Sequence, residues 1–538
     1  MTQAIHHEVI VLGAGVAGIY QIKRLADLGI DAIVLEADED LGGTWYRNRY
    51  PGARFDSESY TYGYSFSKEL LEEWHWKERF SPQPENLRYL NYVADKFDLR
   101  RHMQFRSRVT AMTWNDDERI WRLDLEGGTA YTARFVITGI GVLSAPTLPR
   151  YAGLDDFEGD SFHTYHWPKE SVPLAGRRVG VVGTGATGIQ VIAEIADKVG
   201  ELHVFQRRPN WSSPLNNSLI SDEEMAEIRG RYDEIFARCA ESPGGFEHVP
   251  DRRGFANVPP EERRALWDAL YDTPGFALLS ANFTETFLEL EANRELSDYV
   301  AERIRGRVDD PAVAEKLIPK DHGFGMQRIP LETRYFEAYN RDNVHLVDLK
   351  ETPIERVTKT GLQTTGAHYD LDLIVYATGF HVMTGSWEKI DIRGVGGASL
   401  REKWDDEPAS WLGLLTHDFP NLLMVGGPQS VSGSTNYPRA IEVGVDWVTD
   451  FLVRTREAGH TRFEISRAAE QEWGEEVVKA QERMLLRDSQ GWFTGYNSNV
   501  DGHEAGRIRH PAYHGGAPKY RKIATRVAAE GYRDVTFE

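Results

Sequence analysis

The sequence predicts an α/β fold in which one strand–turn–helix unit occurs twice and a mainly helical segment is inserted. The two turns are glycine-rich, with GAGVAG at residues 13–18 and GTGATG at residues 183–188. Each turn follows an apolar strand pattern, at 7–12 and at 178–182, and opens a helical pattern. Glycines in this frame allow a tight turn and a close approach of the backbone to a pyrophosphate. One copy is a weak signal, but two copies predict two Rossmann-like dinucleotide-binding domains.

The strand that follows each turn ends differently, and this difference separates two cofactors. After the first turn, the apolar strand at 32–35 ends on Glu36, which suits a pair of free ribose hydroxyls. After the second turn, the strand at 202–205 runs into Arg207 and Arg208, two cations suited to a 2′-phosphate. We therefore expect FAD at the first site and NADPH at the second. The arginine pair favours NADPH and leaves NADH open as an alternative.

The composition restricts the class of protein. A chain of 538 residues with 41% apolar content is long enough for two to four domains. Its formal charge of −21 argues against nucleic acid or an anionic membrane surface as a partner. Cys239 is the only cysteine, so the chain cannot form an intramolecular disulfide or a CxxC redox pair. Disulfide reductases, which also carry two dinucleotide folds, are thereby excluded.

The sequence lacks signals for a membrane or a metal. No apolar run approaches the roughly 20 residues needed to cross a bilayer, and the first residues lack the pattern of a signal peptide. His510 and His514 have no accompanying ligand set, so no metal site is expected. We expect a cytoplasmic protein that is a monomer or a weak homo-oligomer.

The helix and strand patterns predict that both nucleotide domains are discontinuous in sequence. Acidic helical patterns at 222–227 and 261–267 indicate an insertion that supports the second domain or forms one wall of a pocket. The apolar run 373–380 predicts a strand buried on both faces of a parallel sheet, and a helix pattern covers 440–453. The predicted domains are 1–144 with 381–538 for FAD, 145–214 with 328–380 for NADP, and 215–327 for the insertion.

The connector between the glycine turns carries a family resemblance. Residues 157–168, FEGDSFHTYHWP, resemble the FxGxxxHxxxWP signature of Baeyer-Villiger monooxygenases. These flavoproteins use NADPH and O2 to convert ketones to esters or lactones. The resemblance implies that this segment links domain movement to cofactor position, and that residues 377–379 form a second interdomain hinge. No chemical step is expected of His163, and a histidine satisfied by backbone hydrogen bonds fits the same pattern.

The resemblance extends over nearly the whole chain. Residues 42–46, GGTWY, are similar to a turn that contacts the flavin. Residues 49–56, RYPGARFD, are similar to the segment that carries an active-site aspartate, here Asp56. Residues 491–493 match a mobile segment whose tryptophan, here Trp492, folds onto the nicotinamide cofactor. Within the family, residues 56–66 and 324–343 most resemble the phenylacetone, steroid and acetone monooxygenase branch.

The resemblance also implies a catalytic arginine. Residues 324–330, FGMQRIP, are similar to the family motif that presents it, which gives the role to Arg328. In the family a C4a-peroxyflavin attacks the ketone carbonyl, and a permanent positive charge stabilises the peroxide and the alkoxide adduct. Arginine suits this task because it stays protonated at every working pH. Asp56 is expected to orient Arg328 by pairing with it.

Gln327 departs from the family pattern, in which a lysine commonly contributes to the 2′-phosphate site. The neutral glutamine removes one cation there, and Arg208, which stands where many members have threonine, would supply the missing charge. We expect NADPH still to be preferred, by a smaller margin. The predicted cofactor-binding residues are Gly13, Gly15, Gly18, Glu36, Gly43, Thr44, Trp45, Asp56, Gly183, Thr184, Gly185, Thr187, Gly188, Arg207, Arg208, Gln327 and Trp492.

Two other functions stay open beside this one. A related flavin monooxygenase that oxygenates amines or sulfides would usually lack both the Trp167-Pro168 ending and an equivalent of Arg328. A non-catalytic flavoprotein would have no need to keep Asp56, Arg328 and Trp492 together. The sequence therefore predicts an oxidoreductase of the Baeyer-Villiger type that acts on a ketone and O2, with sulfide oxidation open as a side reaction.

Overall fold

The structure, a computed structural model that describes residues 4–503 and 506–538, contains a larger mixed sheet and a smaller parallel sheet. Residues 1–3 and 504–505, which fall within the predicted domain ranges, lie outside the described residues. The α/β fold class predicted from the sequence is confirmed, and each glycine turn follows a central strand of its own sheet.

The larger sheet carries the first glycine turn. Its first strand pairs in parallel with the strand on each side of it. The late strand Leu422–Met424 pairs in parallel with Ala130–Thr138, so the chain returns to this sheet after forming the smaller one. The strands of this sheet are Ile5–Leu12, Ala32–Leu35, Met103–Gln104, Val109–Asn115, Ile120–Leu125, Ala130–Thr138, Asp391–Arg393 and Leu422–Met424.

The smaller sheet carries the second glycine turn and is parallel throughout. The apolar run 373–380 was expected to be strand over its whole length, but the strand ends at Tyr376. Residues 377–380 instead form a loop in which Gly379 has a φ of 82°, outside the range of a strand. The strands of this sheet are Asp160–His163, Arg178–Val182, Glu201–Gln206, Val344–Asp348 and Leu373–Tyr376.

Three small sheets complete the strand structure of the described residues. An antiparallel meander consists of Ile354–Thr358, Gly361–Thr364 and His368–Asp370. Two strand pairs, Ser213–Pro214 with Leu331–Glu332 and Phe463–Ile465 with Val535–Phe537, lie outside the larger sheets.

Alternate residues of a strand point to opposite faces of a sheet, so the larger sheet has a separate core on each face. Val9 and Val11 belong to the core beneath the helices, whereas Ile10 and Leu12 belong to the core on the other face. The helix Val16–Asp27 packs beside Tyr437–Glu457, which confirms and extends the helix predicted at 440–453. Among the described residues, none of the helices is long and apolar enough to span a membrane.

The predicted acidic helices are confirmed as Asp222–Gly230 and Pro260–Asp272. The second of these and its neighbours pack on the parallel sheet, because Trp267 and Leu296 share one core with strand residue Val181. The remaining helices are Thr44–Arg47, Ser59–Tyr62, Lys68–Glu73, Gln83–Lys96, Ala186–Ile195, Tyr232–Glu241, Ala277–Ser280, Leu290–Arg305, Pro311–Leu317, Tyr335–Ala338, Gly385–Glu388, Leu400–Lys403, Arg467–Glu482 and Ala517–Ala529.

In the second turn, close packing requires glycine at position 188, whereas position 185 has room for a side chain. A Cβ on Gly188 would lie 2.2 Å from the carbonyl oxygen of Gly183, so any side chain there forces the helix away from the strand. A Cβ on Gly185 would meet nothing within 4 Å, and the backbone there has a φ of −80°, which any residue adopts. The open space at Gly185 is the place where the turn can receive a ligand.

We expect Gly188→Ala to lower the free energy of unfolding by about 2 kcal/mol, because the added methyl group overlaps backbone that cannot rotate away. The matched variant Gly185→Ala should leave the free energy of unfolding within about 0.5 kcal/mol of the parent. Urea unfolding of both variants checks this. Equal stability of the two variants would contradict the close packing described for Gly188.

Candidate active site

A cavity of about 1020 Å³ is lined by residues of both glycine turns. The predicted site residues that line it are Gly15, Gly43, Thr44, Asp56, Thr184, Gly185, Thr187, Arg207, Arg208, Gln327, Arg328 and Trp492. The predicted residues outside the lining are Gly13, Gly18, Glu36, Trp45, Gly183 and Gly188. Residues separated by hundreds of positions in sequence are thus brought to one space, while the second group shapes the turns beneath it.

Glu36 braces the first turn from below. The backbone N–H of Ala14 donates to Glu36 Oε2 over 2.6 Å, and that of Asp38 donates to Oε1 over 2.8 Å. The side chain is buried, and burial raises the pKa of its carboxyl group above the usual range. A carboxylate fixed in this way holds the turn and the end of the strand in register.

The aromatic residues behind the first turn form a rigid wall. Trp45 Nε1 donates to the hydroxyl of Tyr62 over 3.0 Å. Tyr62 stacks on Phe55 with 4.2 Å between ring centroids, and both rings line the cavity. Trp45 therefore acts on the cavity through Tyr62.

Arg207 and Arg208, the two cations next to the second turn, differ in whether a carboxylate already neutralises them. Arg208 Nη2 lies 2.8 Å from Asp321 Oδ2, and Nη1 donates to the carbonyl of Gln490 over 3.1 Å. Arg207 bonds the neutral hydroxyl of Ser498, and within the described residues no carboxylate lies within 4.0 Å of it. Arg207 is consequently the cation more available to a phosphate.

Gln327 fills the position expected to differ from the family. Its Nε2 donates to the carbonyl of Gln490 over 3.0 Å, the same oxygen that Arg208 bonds. The glutamine thus holds the segment that precedes Trp492 instead of adding charge to the turn.

Arg328 and Asp56 form an ion pair inside the cavity. Arg328 Nη2 donates to Asp56 Oδ2 over 2.7 Å, and the guanidinium lies 5.1 Å from the ring centroid of Phe276. Asp56 is 11% exposed in its side chain, whereas Arg328 is 37% exposed. Asp56 anchors Nη2, and Nη1 bonds the backbone carbonyl of Ile329, so both terminal nitrogens of the guanidinium are held at the cavity wall.

Gln190 is a positioning residue that the sequence reasoning missed. The hydroxyl of Tyr50 donates to Gln190 Oε1 over 2.8 Å, and Gln190 Nε2 donates to the carbonyl of Arg54 over 3.0 Å. Gln190 lies on the helix Ala186–Ile195 of the second turn, so this helix fixes the segment that ends in Asp56. Its partners lie more than 130 positions away in sequence, so no local pattern indicated this role.

The chain passes between the two main sheets at residues 139–168 and again at 377–390, here called the first and second connectors. Hydrogen bonds to backbone atoms hold the two connectors together. His163 Nδ1 accepts from the backbone N–H of Tyr165 over 3.1 Å, and Nε2 lies 3.1 Å from the carbonyl of Gly379. The neutral ring with its proton on Nε2 satisfies both bonds. Thr378 Oγ1 donates to the carbonyl of Thr147 over 2.6 Å at the same crossing. The interpretation of His163 as a backbone-satisfied histidine is confirmed.

The segment around Trp492 lies over the second connector. Trp492 begins a short 3-10 turn and contacts Phe493, with 4.1 Å between ring centroids. Asn497 Nδ2 donates to the carbonyl of Phe380 over 2.8 Å, and Asn499 Nδ2 donates to that of Thr378 over 3.2 Å. The residues that follow the tryptophan are thereby bonded to the second connector.

The fold has two dinucleotide-binding turns, and both turns line one cavity. Comparison with known proteins identifies the family. Residues 6–217 match the family model described as flavin-binding monooxygenase-like. The 2-oxo-Delta(3)-4,5,5-trimethylcyclopentenylacetyl-CoA monooxygenase of Pseudomonas putida is 43% identical over 532 residues, covering 98% of this chain and 97% of the relative. A Baeyer-Villiger monooxygenase of Pseudooceanicola batsensis is 36% identical over 538 residues, covering 99% and 97%.

A solved structure supports the same assignment. OTEMO in complex with FAD and NADP superposes with a TM-score of 0.95 at 42% sequence identity, covering 100% of both chains. The chain therefore belongs to the Baeyer-Villiger monooxygenase family.

The stability of the protein should depend on pH through His163. Burial lowers the pKa of His163 from 6.5 to about 4. Above pH 6.5 the folded and unfolded chains both hold it neutral, and between 6.5 and 4 the unfolded chain alone takes up a proton. Stability is therefore lost as pH falls through this window, by up to about 1.4 kcal/mol per pH unit from this residue.

We expect His163→Gln to lose less stability than the parent between pH 7 and pH 5, because glutamine has no titrating group. Urea unfolding at the two pH values measures the difference, with the exposed His6→Gln as the control that keeps the parent dependence. The same loss in the parent and in His163→Gln would rule out the buried neutral histidine.

Proposed function

We propose that this protein is an NADPH- and O2-dependent FAD monooxygenase that converts ketones to esters or lactones. The observation that carries the proposal is the ion pair of Arg328 with Asp56, which stands in a cavity lined by both glycine turns. The Pseudomonas putida relative, named for a 2-oxo compound, supports a ketone as the substrate class. Arg328 and Asp56 are the proposed catalytic residues.

The two turns fit the two proposed cofactors. Gly15 and Gly185 both precede the N-terminus of a helix, where free N–H groups favour a pyrophosphate. A Cβ on Gly185 would meet no protein atom within 4 Å, which leaves room for the cofactor that this turn would hold. FAD, when bound and reduced by NADPH, supplies the electrons that activate O2.

Arg328 would stabilise the negative charge that develops on oxygen during insertion. Its charge is permanent, and the cavity is largely apolar around it, so a fixed donor there is worth more than in water. Asp56 would keep the guanidinium in one orientation. Phe276 would shield the lower face of the pair from solvent.

The 2′-phosphate of NADPH would be bound chiefly by Arg207. Arg208 forms an ion pair with Asp321, so it would contribute less positive charge to the phosphate site than its position in the sequence suggests. Gln327 would order the approach of the Trp492 segment to the nicotinamide cofactor through Gln490. The preference for NADPH over NADH would accordingly depend on a single free cation.

The proposal includes the domain ranges and the cell compartment. We assign 1–144 with 381–538 to the FAD domain, 145–214 with 328–380 to the NADP domain, and 215–327 to the insertion, which follows the division of strands between the two main sheets. We place the protein in the cytoplasm, because its single buried cysteine gives it no disulfide that an oxidising compartment would maintain. We propose that it is a monomer or a weak homo-oligomer.

We expect Arg328→Ala to lower the rate of ester formation about 10²-fold to 10³-fold, as the loss of one fixed charge donor does elsewhere. Reduction of the flavin by NADPH should change by a few-fold at most. Arg328→Lys should recover only part of the activity, because an ammonium lacks the planar fork that pairs with Asp56.

Product analysis with ¹⁸O2 and a neutral ketone, together with anaerobic reduction kinetics, measures both steps. Arg341→Ala, an exposed arginine outside the cavity, is the control for loss of positive charge. Ester formation at the parent rate in Arg328→Ala would refute the assigned role.

A further inference from the structure

The cavity is more cationic than the acidic chain as a whole. The chain has 62 Lys and Arg against 83 Asp and Glu, whereas the described residues that line the cavity include seven Lys and Arg and two Asp and Glu. Arg54 is paired with Glu78, Arg328 with Asp56, and two more cations belong to the second glycine turn. The cations that remain are Lys479, Arg483 and Lys519, here called the cation cluster.

The cation cluster lies at the exposed edge of the cavity. Lys479 is in the last turn of the helix Arg467–Glu482 and Arg483 directly follows it, so the spacing of four residues places both on one side. Lys519 comes from the helix Ala517–Ala529. All three are exposed, although each contributes to the lining.

The cluster has a net positive charge. Of the two carboxylates that line the cavity, Glu476 is the one beside the cluster, and it bonds the ammonium of Lys519. Burial raises the pKa of Glu476, but the hydrogen bond from Lys519, the hydrogen bond from Tyr513 and the charge of Lys479 outweigh it and lower that pKa overall. Among the described residues, no carboxylate lies within 4.0 Å of Lys479 or of Arg483. Two cations are therefore left to bind an anion from solution.

An apolar wall connects the cluster to Arg328. The backbone N–H of Ala517 donates to the carbonyl of Pro243 over 2.9 Å, which joins the helix of Lys519 to the segment leading to Phe246. Phe246 packs on Phe276 with 4.8 Å between ring centroids, and Phe276 lies beneath the guanidinium of Arg328. A molecule that reaches from Arg328 to the cluster would follow this wall.

We propose that the ketone substrate carries an anionic group, a carboxylate or a phosphate, which the cation cluster binds while the carbonyl lies at Arg328. This inference rests on the proposed function. The substrate would have an apolar stem between its two polar ends, matched to Phe246 and Phe276. The cluster would recognise the anion by charge and would leave it partly in water, as exposed cations do.

The phosphates of NADPH are the competing ligand for these cations. Arg207 lies on another element, bonded to Ser498, and Arg208 is bonded to Gln490 and Asp321. The cluster, in contrast, adjoins the wall that leads to Arg328. The geometry therefore favours the ketone as the source of the anion.

The test compares charged and neutral forms of one substrate in the holoenzyme. The probes are methyl ketones with a terminal carboxylate on chains of increasing length, each beside its methyl ester and its coenzyme A thioester. The variants are the double substitution K479Q/R483Q, the control pair K522Q/R526Q on the exposed side of the neighbouring helix, and Arg207→Ala. The readout is kcat/KM for product formation, with KM for NADPH measured alongside.

We expect the parent to prefer an anionic ketone over its methyl ester, and K479Q/R483Q to lower this preference about fivefold to tenfold. The control pair should keep it, and added salt should weaken it in the parent. Arg207→Ala should raise KM for NADPH and leave the preference unchanged. A preference for the thioester over the free acid that K479Q/R483Q removes identifies phosphate as the anion, and a preference for the free acid that this variant removes identifies carboxylate.

Two results would overturn the inference. The first is equal kcat/KM for charged and neutral ketones in the parent. The second is a preference that K479Q/R483Q leaves intact, and a rise in KM for NADPH in that variant would then assign the cluster to the cofactor. Product from the methyl esters in these cases would leave the proposed function standing, whereas product from none of the ketones would overturn both.

Discussion

The ion pair between Arg328 and Asp56 is the interaction on which the arrangement of the cavity depends. Its two members are 272 positions apart in sequence. Asp56 follows a segment fixed by Gln190 of the second turn, so the helix beneath one turn sets the geometry of a residue near the other.

A second constraint is the distribution of charge. The chain is strongly acidic, yet seven Lys and Arg line its cavity, and three of them, Arg207, Lys479 and Arg483, have no carboxylate within 4.0 Å among the described residues. An excess of cations around a cavity attracts anions and stabilises negative charge that develops during a reaction. This positive charge would attract the cofactor phosphates and the proposed anionic ketone, and it would stabilise the reacting oxygen.

Much of the fold could be predicted from the sequence because its signals are local. The strand, turn and helix around each glycine turn depend on residues within about thirty positions, and a Cβ at Gly188 is forbidden by an oxygen only five residues away. Arg328 and Asp56 could be named because they lie in motifs that resemble a family. The end of the strand at Tyr376 was missed since apolar character continues into the loop.

Other parts of the site depend on contacts that no local pattern reveals. The pairing of Arg208 with Asp321, the place of Phe276 under Arg328 and the bridge made by Gln190 each join segments more than fifty positions apart. Their residue types are ordinary for helices and loops. Only the packing of the helical segment against the parallel sheet gives them a part in the site.

The most direct test of the coupling between Arg328 and Asp56 is a double-mutant cycle. Ester formed per NADPH oxidised would be measured for Asp56→Ala, Arg328→Ala and the double variant with one neutral ketone. If the two residues act as a unit, the double variant will be about as impaired as Arg328→Ala alone. Losses that multiply in the double variant would show that the residues act independently and would contradict the role given to the pair.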